Sequence, residues 1–172
     1  LSAAKFLIAT GSTIAVPPIP GLEKTGYITY KEAINLTRPP KNLAIIGGGA
    51  IGCEFATALA IFGTKIYIID AAPHLLNKEE PEASRLIEER FIEDYSMSLH
   101  LDSLVDKVEK VGLKKKLTIR TNEVSSTITV DEILVATGKR GVVDIGLENA
   151  GVEHTPSTII VDEHMQTTVS QI

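Results

Sequence analysis

Three features are scarce in this sequence, and their scarcity argues against disulfide-stabilised proteins, membrane-spanning or exported proteins, and nucleic-acid-binding proteins. It has one cysteine, Cys53, so no disulfide can form within the chain and a reducing, cytoplasmic setting is expected. It has no apolar run near the ~20 residues that span a bilayer, and its first apolar run is too short for a signal peptide. It has no excess of positive charge, and a net charge of -5 gives no reason to expect nucleic acid or an anionic membrane as partner.

Three glycines follow a short apolar run and precede a helix-length stretch of small and apolar residues. They are Gly47, Gly49 and Gly52, in the spacing G-x-G-x-x-G. Residues 43–46 predict a strand and residues 50–62 a helix, so the glycines lie at a strand-to-helix turn. Such glycines allow a tight turn, close approach of the backbone to a pyrophosphate, and close packing of helix on strand. The N-terminus of the helix, near Ala50, would attract the anion.

An acidic residue ends the next predicted strand. Residues 65–69 have a composition typical of a β-strand, and Asp70 follows directly. A carboxylate in this place accepts hydrogen bonds from adenosine ribose hydroxyls and repels a 2′-phosphate. Positions 71–74 contain no arginine that would hold such a phosphate. The sequence therefore predicts NAD(H) rather than NADP(H); the alternative is that Asp70 only caps a loop.

The other titratable residues form no motif. Glu54 falls on the first turn of the predicted helix, where a carboxylate interacts favourably with the helix dipole. Cys53 is expected to be a small buried apolar residue. The four histidines have neither metal-ligand nor nucleophile spacing. We therefore predict no catalytic residue and no metal site in this chain.

The remaining pattern predicts an α/β, Rossmann-like fold with a parallel sheet, crossover helices and an inserted β-meander. The predicted segments are a strand at 5–10, a helix at 29–36, a helix from 80, the meander at 98–130, strands at 132–137 and 158–161, and a helical piece at 147–150. In the helix from 80, Ala83, Leu86, Ile87 and Phe91 fall on an apolar face, and Glu88 falls among the acids of the solvent face.

Several sequence motifs lie on both sides of the glycine turn. They are Ala-Thr-Gly at 9–11 and 136–138, Pro-x-Ile-Pro-Gly at 17–21, Gly-Leu-Glu-Asn-Ala-Gly-Val at 146–152, and Val-Asp-Glu-His-Met-Gln-Thr-Thr at 161–168. With the central Gly-Gly-Gly-Ala-Ile-Gly-Cys-Glu-Phe-Ala, they resemble the pyridine nucleotide–disulfide oxidoreductases. These FAD enzymes include dihydrolipoamide dehydrogenase, glutathione reductase and mercuric reductase. Asp70 without a following arginine is similar to the NAD-using dihydrolipoamide dehydrogenases, and Pro-Pro-Ile-Pro-Gly is similar to mercuric reductase relatives.

The resemblance implies which residues contact the cofactors. NAD would be held by the three glycines and Asp70, the backbone near Val105 would border the adenine, and Gly138 would approach the dinucleotide. Glu54 matches a glutamate that pairs with a lysine near the flavin, and residues 10–12 match a segment that touches FAD. Ala50 stands where some members carry a gating tyrosine. The predicted cofactor-binding residues are Gly47, Gly49, Ala50, Ile51, Gly52, Glu54, Asp70, Val105, Gly138, Thr10, Gly11 and Ser12.

The sequence shows no second glycine fingerprint for FAD, no Cys-x4-Cys pair and no C-terminal dimerisation domain with a catalytic His-Glu. The resemblance therefore implies an excised piece: residues 1–22 a residual FAD-domain segment and linker, residues 23–142 the NAD(H)-binding domain, and residues 143–172 a residual FAD-domain segment. The parent would be a homodimeric enzyme with FAD. The piece alone would be monomeric and inactive, with NAD(H) and the FAD and dimerisation domains as its partners.

Proteins of two other classes share part of this pattern. An NAD-sensing Rossmann domain that regulates a channel or transporter shares the strand, turn, helix and acid, but does not explain the paired Ala-Thr-Gly segments or the meander. A standalone dehydrogenase needs an acid or base for its substrate, and no motif supplies one. Within the resembled family, a mercuric reductase-like member is the alternative to a dihydrolipoamide dehydrogenase.

Overall fold

The computed structural model describes residues 2–172 and divides them into two units, Val16–Gly138 and a second unit of residues 2–15 with Lys139–Ile172. The elements in chain order are β1 (Ser12–Ile14), α1 (Leu22–Thr25), α2 (Tyr30–Ala33), β2 (Asn42–Ile46), α3 (Ala50–Ile61), β3 (Lys65–Ile69), α4 (Pro81–Glu93), β4 (Ser98–His100), β5 (Ser103–Val111), β6 (Lys114–Thr121), β7 (Val124–Val130), β8 (Glu132–Val135), β9 (Lys139–Gly141) and a 3-10 turn at Leu147–Ala150. None of the helices in residues 2–172 is long and apolar enough to cross a membrane.

The larger unit contains a parallel four-stranded sheet in the order β4-β3-β2-β8. Ile46 at the end of β2 pairs with Ile69 of β3 and Val135 of β8, so the carboxyl ends of these strands meet at one edge. β2 and β8 are almost wholly apolar and buried, as expected for strands covered on both faces. The predicted α/β fold with a parallel sheet is confirmed.

The prediction of the inward face of α4 was partly wrong. Phe91 is buried as expected, but the other buried residue of this helix is Ser84, and Leu86 is 54% exposed. Glu88, predicted to face solvent, has a side chain only 17% exposed. The buried face follows the helical spacing from Ser84 through Ile87 and Glu88 to Phe91. Two polar side chains lie there because each bonds a backbone group of the loop before α4.

The predicted meander is present over a shorter range. β5, β6 and β7 form an antiparallel sheet over residues 103–130. Its second turn has Asn122 and Glu123 at φ 46° and 67°, the conformation of a tight hairpin turn. Ser98–His100 does not belong to the meander and pairs in parallel with β3. A strand that follows a crossover helix returns parallel to the strand before it, which explains the difference.

In the smaller unit, β1 pairs antiparallel with β9. The strand predicted at 5–10 was wrong: the ladder begins after Gly11, at Ser12, and Leu7 is 91% exposed. The strand predicted at 158–161 is reduced to single bridges at Ile159 and Val161. The helical piece at 147–150 is a 3-10 turn that buries Leu147. The assignment of residues 1–22 and 143–172 to an FAD domain stays a prediction.

Candidate functional site

A cavity of about 580 Å³ lies at the carboxyl ends of the parallel strands, wholly within Val16–Gly138. Ile46 and Ile69, the last residues of β2 and β3, line it together with Ala136, which follows β8. Open α/β sheets bind ligands in this crevice, and the volume is that of a small-molecule site. The sheet thus places the cavity beside the glycine turn that the sequence singles out.

Two of the glycines are required by the packing of the turn itself. Gly47 has φ 109°, and a Cβ there would lie 2.6 Å from the carbonyl oxygen of Ala136. A Cβ on Gly52 would lie 2.0 Å from the carbonyl oxygen of Gly47. Both contacts are with backbone that cannot move aside. Gly47 therefore lets the turn lie against the segment that follows β8, and Gly52 lets α3 pack closely on the turn that follows β2.

The middle glycine has a different environment. Gly49 precedes α3 with φ -76°, and a Cβ on it would meet no atom within 4 Å. Gly49, Ala50 and Ile51 line the cavity. The prediction that Glu54 lies on the first turn was wrong, because α3 begins at Ala50 and Glu54 is its fifth residue; no acidic residue in the first turn neutralises the positive end of the helix dipole. The open space at this helix end is therefore a place where an anion such as a pyrophosphate can meet free backbone N–H groups.

Asp70 is held by two hydrogen bonds and borders the cavity. The Gly48 N–H donates to its Oδ2 at 2.5 Å, and the Ala72 N–H donates to its Oδ1 at 2.7 Å. The carboxylate therefore bonds the loop, as the alternative interpretation expects, and it also lines the cavity. Each carboxylate oxygen has two acceptor sites, so each retains one for a hydroxyl donor.

The structure brings most of the predicted residues together. Val105 and Gly138 line the same cavity as the glycine turn and Asp70. Gly52 is buried beneath the turn, and Glu54 is exposed outside the cavity lining. Residues 10–12 belong to the smaller unit, where the Thr10 hydroxyl donates to the Val142 carbonyl. The roles predicted for Glu54, Thr10, Gly11 and Ser12 toward FAD stay predictions.

Sequence reasoning missed the loop between β3 and α4 as part of the site. Leu76, Asn77, Lys78 and Glu79 line the cavity, and Lys78 is the one cation among the described residues that do. Leu76 has φ 51°, which is uncommon for a non-glycine residue. The available signal was position alone, because loops at the carboxyl ends of parallel strands form binding sites in this fold class.

Burial favours the uncharged forms of Cys53 and His100. Burial, and then the nearby charges of Asp70, Glu54 and Glu88, raise the pKa of the Cys53 thiol to about 12. Its Sγ–H donates to the Gly48 carbonyl at 3.4 Å. Burial lowers the pKa of His100, whose ring stacks on Tyr67. Across residues 2–172 no group of three His, Cys, Asp or Glu side chains is placed to hold a metal ion.

The whole sequence matches a known family. A profile described as "Pyridine nucleotide-disulphide oxidoreductase" aligns with residues 1–172. The chain belongs to this family. The predicted resemblance is thereby confirmed, and the family membership agrees with the placement of the cavity beside a nucleotide-type glycine turn.

Individual family members align along nearly all of the chain. It is 32% identical over 100% of its length to a mercuric reductase of Bacillus cereus, covering 27% of that protein. It is 33% identical over 98% of its length to a dihydrolipoyl dehydrogenase of Bacillus subtilis, covering 36% of that protein. The structure of the HOCl-induced flavoprotein disulfide reductase RclA from Escherichia coli superposes with a TM-score of 0.82 and 30% identity, over 94% of this chain and 37% of that one. The chain thus spans about a third of the length of these relatives.

Proposed function

We propose that the chain is the NAD(H)-binding domain of an FAD-dependent pyridine nucleotide–disulfide oxidoreductase. The observation that carries the proposal is the cavity at the strand ends, where the open space at Gly49 and the acceptor sites of Asp70 border one volume. A nicotinamide cofactor, when bound, supplies a hydride for exchange with a flavin. The chain's own residues bind and orient the dinucleotide.

Each part of the cavity wall suits one part of a dinucleotide. The N-terminus of α3 offers backbone N–H groups and a positive dipole end to the pyrophosphate. Asp70 offers two acceptor sites to ribose hydroxyls. Leu76, Leu104 and Val105 supply apolar surface that excludes water from a flat aromatic base. The fit extends to size, since the cavity volume of about 580 Å³ is large enough for a small-molecule ligand.

We propose a dihydrolipoamide dehydrogenase-like member, with a mercuric reductase-like member as the alternative. Relatives of both names match at similar identity, so the preference rests on Asp70 and on the lack of arginine at 71–74. We further propose that residues 1–22 and 143–172 belong to the FAD-binding part of a homodimeric parent enzyme. In that parent, Thr10, Gly11 and Ser12 would contact FAD and Glu54 would pair with a lysine near the flavin. A separate NAD-sensing regulatory domain is disfavoured because the family match covers both Ala-Thr-Gly segments.

The test is a titration of the purified 172-residue chain with NADH and with NADPH, followed by the fluorescence of the reduced nicotinamide. We expect NADH to bind more tightly, because the Asp70 carboxylate repels a 2′-phosphate. Lys78 is the cation in the cavity wall that would favour NADPH. Lys78→Gln is therefore titrated in parallel and should bind NADPH more weakly than the unmodified chain. Equal affinity for the two cofactors in the unmodified chain would contradict the assignment to NAD(H). A stoichiometric yellow flavin in the purified chain would contradict the proposed division of the parent.

A further inference from the structure

Two polar side chains on the inward face of α4 contact the loop that forms part of the cavity wall. Glu88 has a side chain only 17% exposed, and Ser84 is 3% exposed. They are one helical turn apart and both point at the loop between β3 and α4. Buried polar side chains in an otherwise apolar helix face cost stability unless they are hydrogen-bonded, so their partners indicate what they do.

Each side chain makes a hydrogen bond with one backbone group, and the two groups belong to the adjacent residues Leu75 and Leu76. The Leu75 N–H donates to Glu88 Oε1 at 2.8 Å, and the Ser84 hydroxyl donates to the Leu76 carbonyl at 3.3 Å. The same Glu88 oxygen lies 3.3 Å from His74 Nδ1. A hydrogen bond from a backbone N–H to a carboxylate is among the stronger ones in proteins. The helix therefore holds the loop at the point where it turns toward the cavity.

The other side of this loop is bonded to the glycine turn. The Leu76 N–H donates to the Gly48 carbonyl at 2.9 Å, and the Gly48 N–H donates to Asp70. Leu75 is fully buried and packs so closely that a Cβ on Gly48 would lie 2.5 Å from its Cδ2. Leu76 is in the left-handed region, which persists only where surrounding contacts impose it. The loop is thus fixed between α4 and the turn that would hold the pyrophosphate.

We propose that Glu88 and Ser84 are positioning residues that hold the 76–79 wall of the dinucleotide cavity and thereby set its affinity for NAD(H). The proposal rests on the function proposed above. Neither residue lines the cavity, so neither contacts the ligand directly. They act through the backbone of Leu75 and Leu76, and through it they fix where Lys78 stands relative to Asp70.

The test compares Glu88→Ala with Glu89→Ala in the 172-residue chain. Both remove one carboxylate from α4, but Glu89 is exposed to solvent. We expect Glu88→Ala to weaken NADH binding roughly tenfold, because the loop that this hydrogen bond orders beforehand must then be ordered when the ligand binds, and Glu89→Ala to leave it unchanged. Glu88→Gln keeps an oxygen that accepts from the Leu75 N–H, so it should restore the affinity. It also identifies the hydrogen bond, rather than the charge, as the cause.

A purely structural role would lower Tm and leave NADH binding by the folded chain unchanged. All titrations are therefore made well below the Tm of each variant, measured by circular dichroism. Equal NADH affinity in Glu88→Ala and Glu89→Ala overturns the proposal, whatever happens to Tm. Failure of Glu88→Gln to restore the affinity that Glu88→Ala loses also overturns it.

Amide hydrogen exchange in the ligand-free chain separates this proposal from the proposed function. We expect exchange at Leu75 and Leu76 to be roughly tenfold faster in Glu88→Ala, because one hydrogen bond no longer opposes local opening. If the unmodified chain binds no NADH, the proposed function fails. If exchange at Leu75 is the same in Glu88→Ala as in the unmodified chain, the positioning role fails as well. If Glu88→Ala does not fold, Ser84→Ala replaces it and should show the same faster exchange; unchanged exchange and NADH affinity there contradict the proposal.

Discussion

Asp70→Asn is the substitution that best separates the two interpretations of Asp70. The carboxylate accepts one hydrogen bond from Gly48 and one from Ala72, while the asparagine amide has only one oxygen to accept them. One of the two N–H groups would then face an NH₂ group. Gly48 is buried, so its N–H cannot turn to water. Asp70→Asn therefore affects the turn as well as the cavity.

The size of each effect follows from the bonds lost. Loss of one hydrogen bond to a charged acceptor lowers the free energy of unfolding by about 2 kcal/mol, which lowers Tm by about 4–8 °C in a chain of this size. Loss of the ribose contact weakens NADH binding roughly ten- to hundredfold. NADPH binding should stay the same or become tighter, because the charge that repels a 2′-phosphate is gone. The ratio of the two dissociation constants is thus the decisive quantity.

The assay combines thermal melting by circular dichroism with NADH and NADPH titrations of the same preparation. Glu79→Gln is the matched control, since Glu79 also lines the cavity and loses the same charge. We expect Glu79→Gln to change the ratio much less than Asp70→Asn. A lower Tm with an unchanged ratio in Asp70→Asn would refute the reasoning and leave Asp70 as a loop cap only.

Two further predictions concern the glycine turn and the thiol beneath it. Gly49→Ala should fold with an unchanged Tm, because its Cβ meets no atom within 4 Å, but it should bind NADH more weakly, because that Cβ enters the space for the pyrophosphate. Gly52→Ala should lower Tm, because its Cβ would lie 2.0 Å from the Gly47 carbonyl oxygen. The Cys53 thiol should react with iodoacetamide far more slowly in the folded than in the urea-unfolded chain at pH 8. Equal rates of alkylation in the two states would contradict the burial of the thiol. Its pKa rises from 9.0 to about 12 on folding, so the stability that it contributes is present below pH 9 and is lost as the pH rises toward 12. Urea titrations at several pH values would measure this loss.

The segment from β2 to Asp70 could be predicted from the sequence because its signals are local. The strand at Lys65–Ile69 begins and ends where the pattern predicts, and α3 begins at Ala50. The capping box at Thr29 and Glu32 also forms, although its helix ends at Ala33 rather than near residue 36. Glycine sterics, capping and hydrophobic period act within a few residues, so a single sequence carries them.

The partners of strands and helix faces could not be predicted in the same way. Ser98–His100 has the same short, mixed pattern as the meander strands, and only its position beside β3 makes it part of the parallel sheet. The apolar residues of α4 allow more than one inward face. The observed face is chosen by Phe91 in the core and by the bonds from Ser84 and Glu88 to the preceding loop.

The sequence by itself determined the glycine turn, the acid that follows it and the family of the chain. The tertiary structure decided that Asp70 bonds Gly48 while bordering the cavity, and that Leu76 and Lys78 form part of the cavity wall. The physical reason is one of range. A turn needs only its own residues, whereas a cavity is defined by groups that the chain brings together from separate strands and loops.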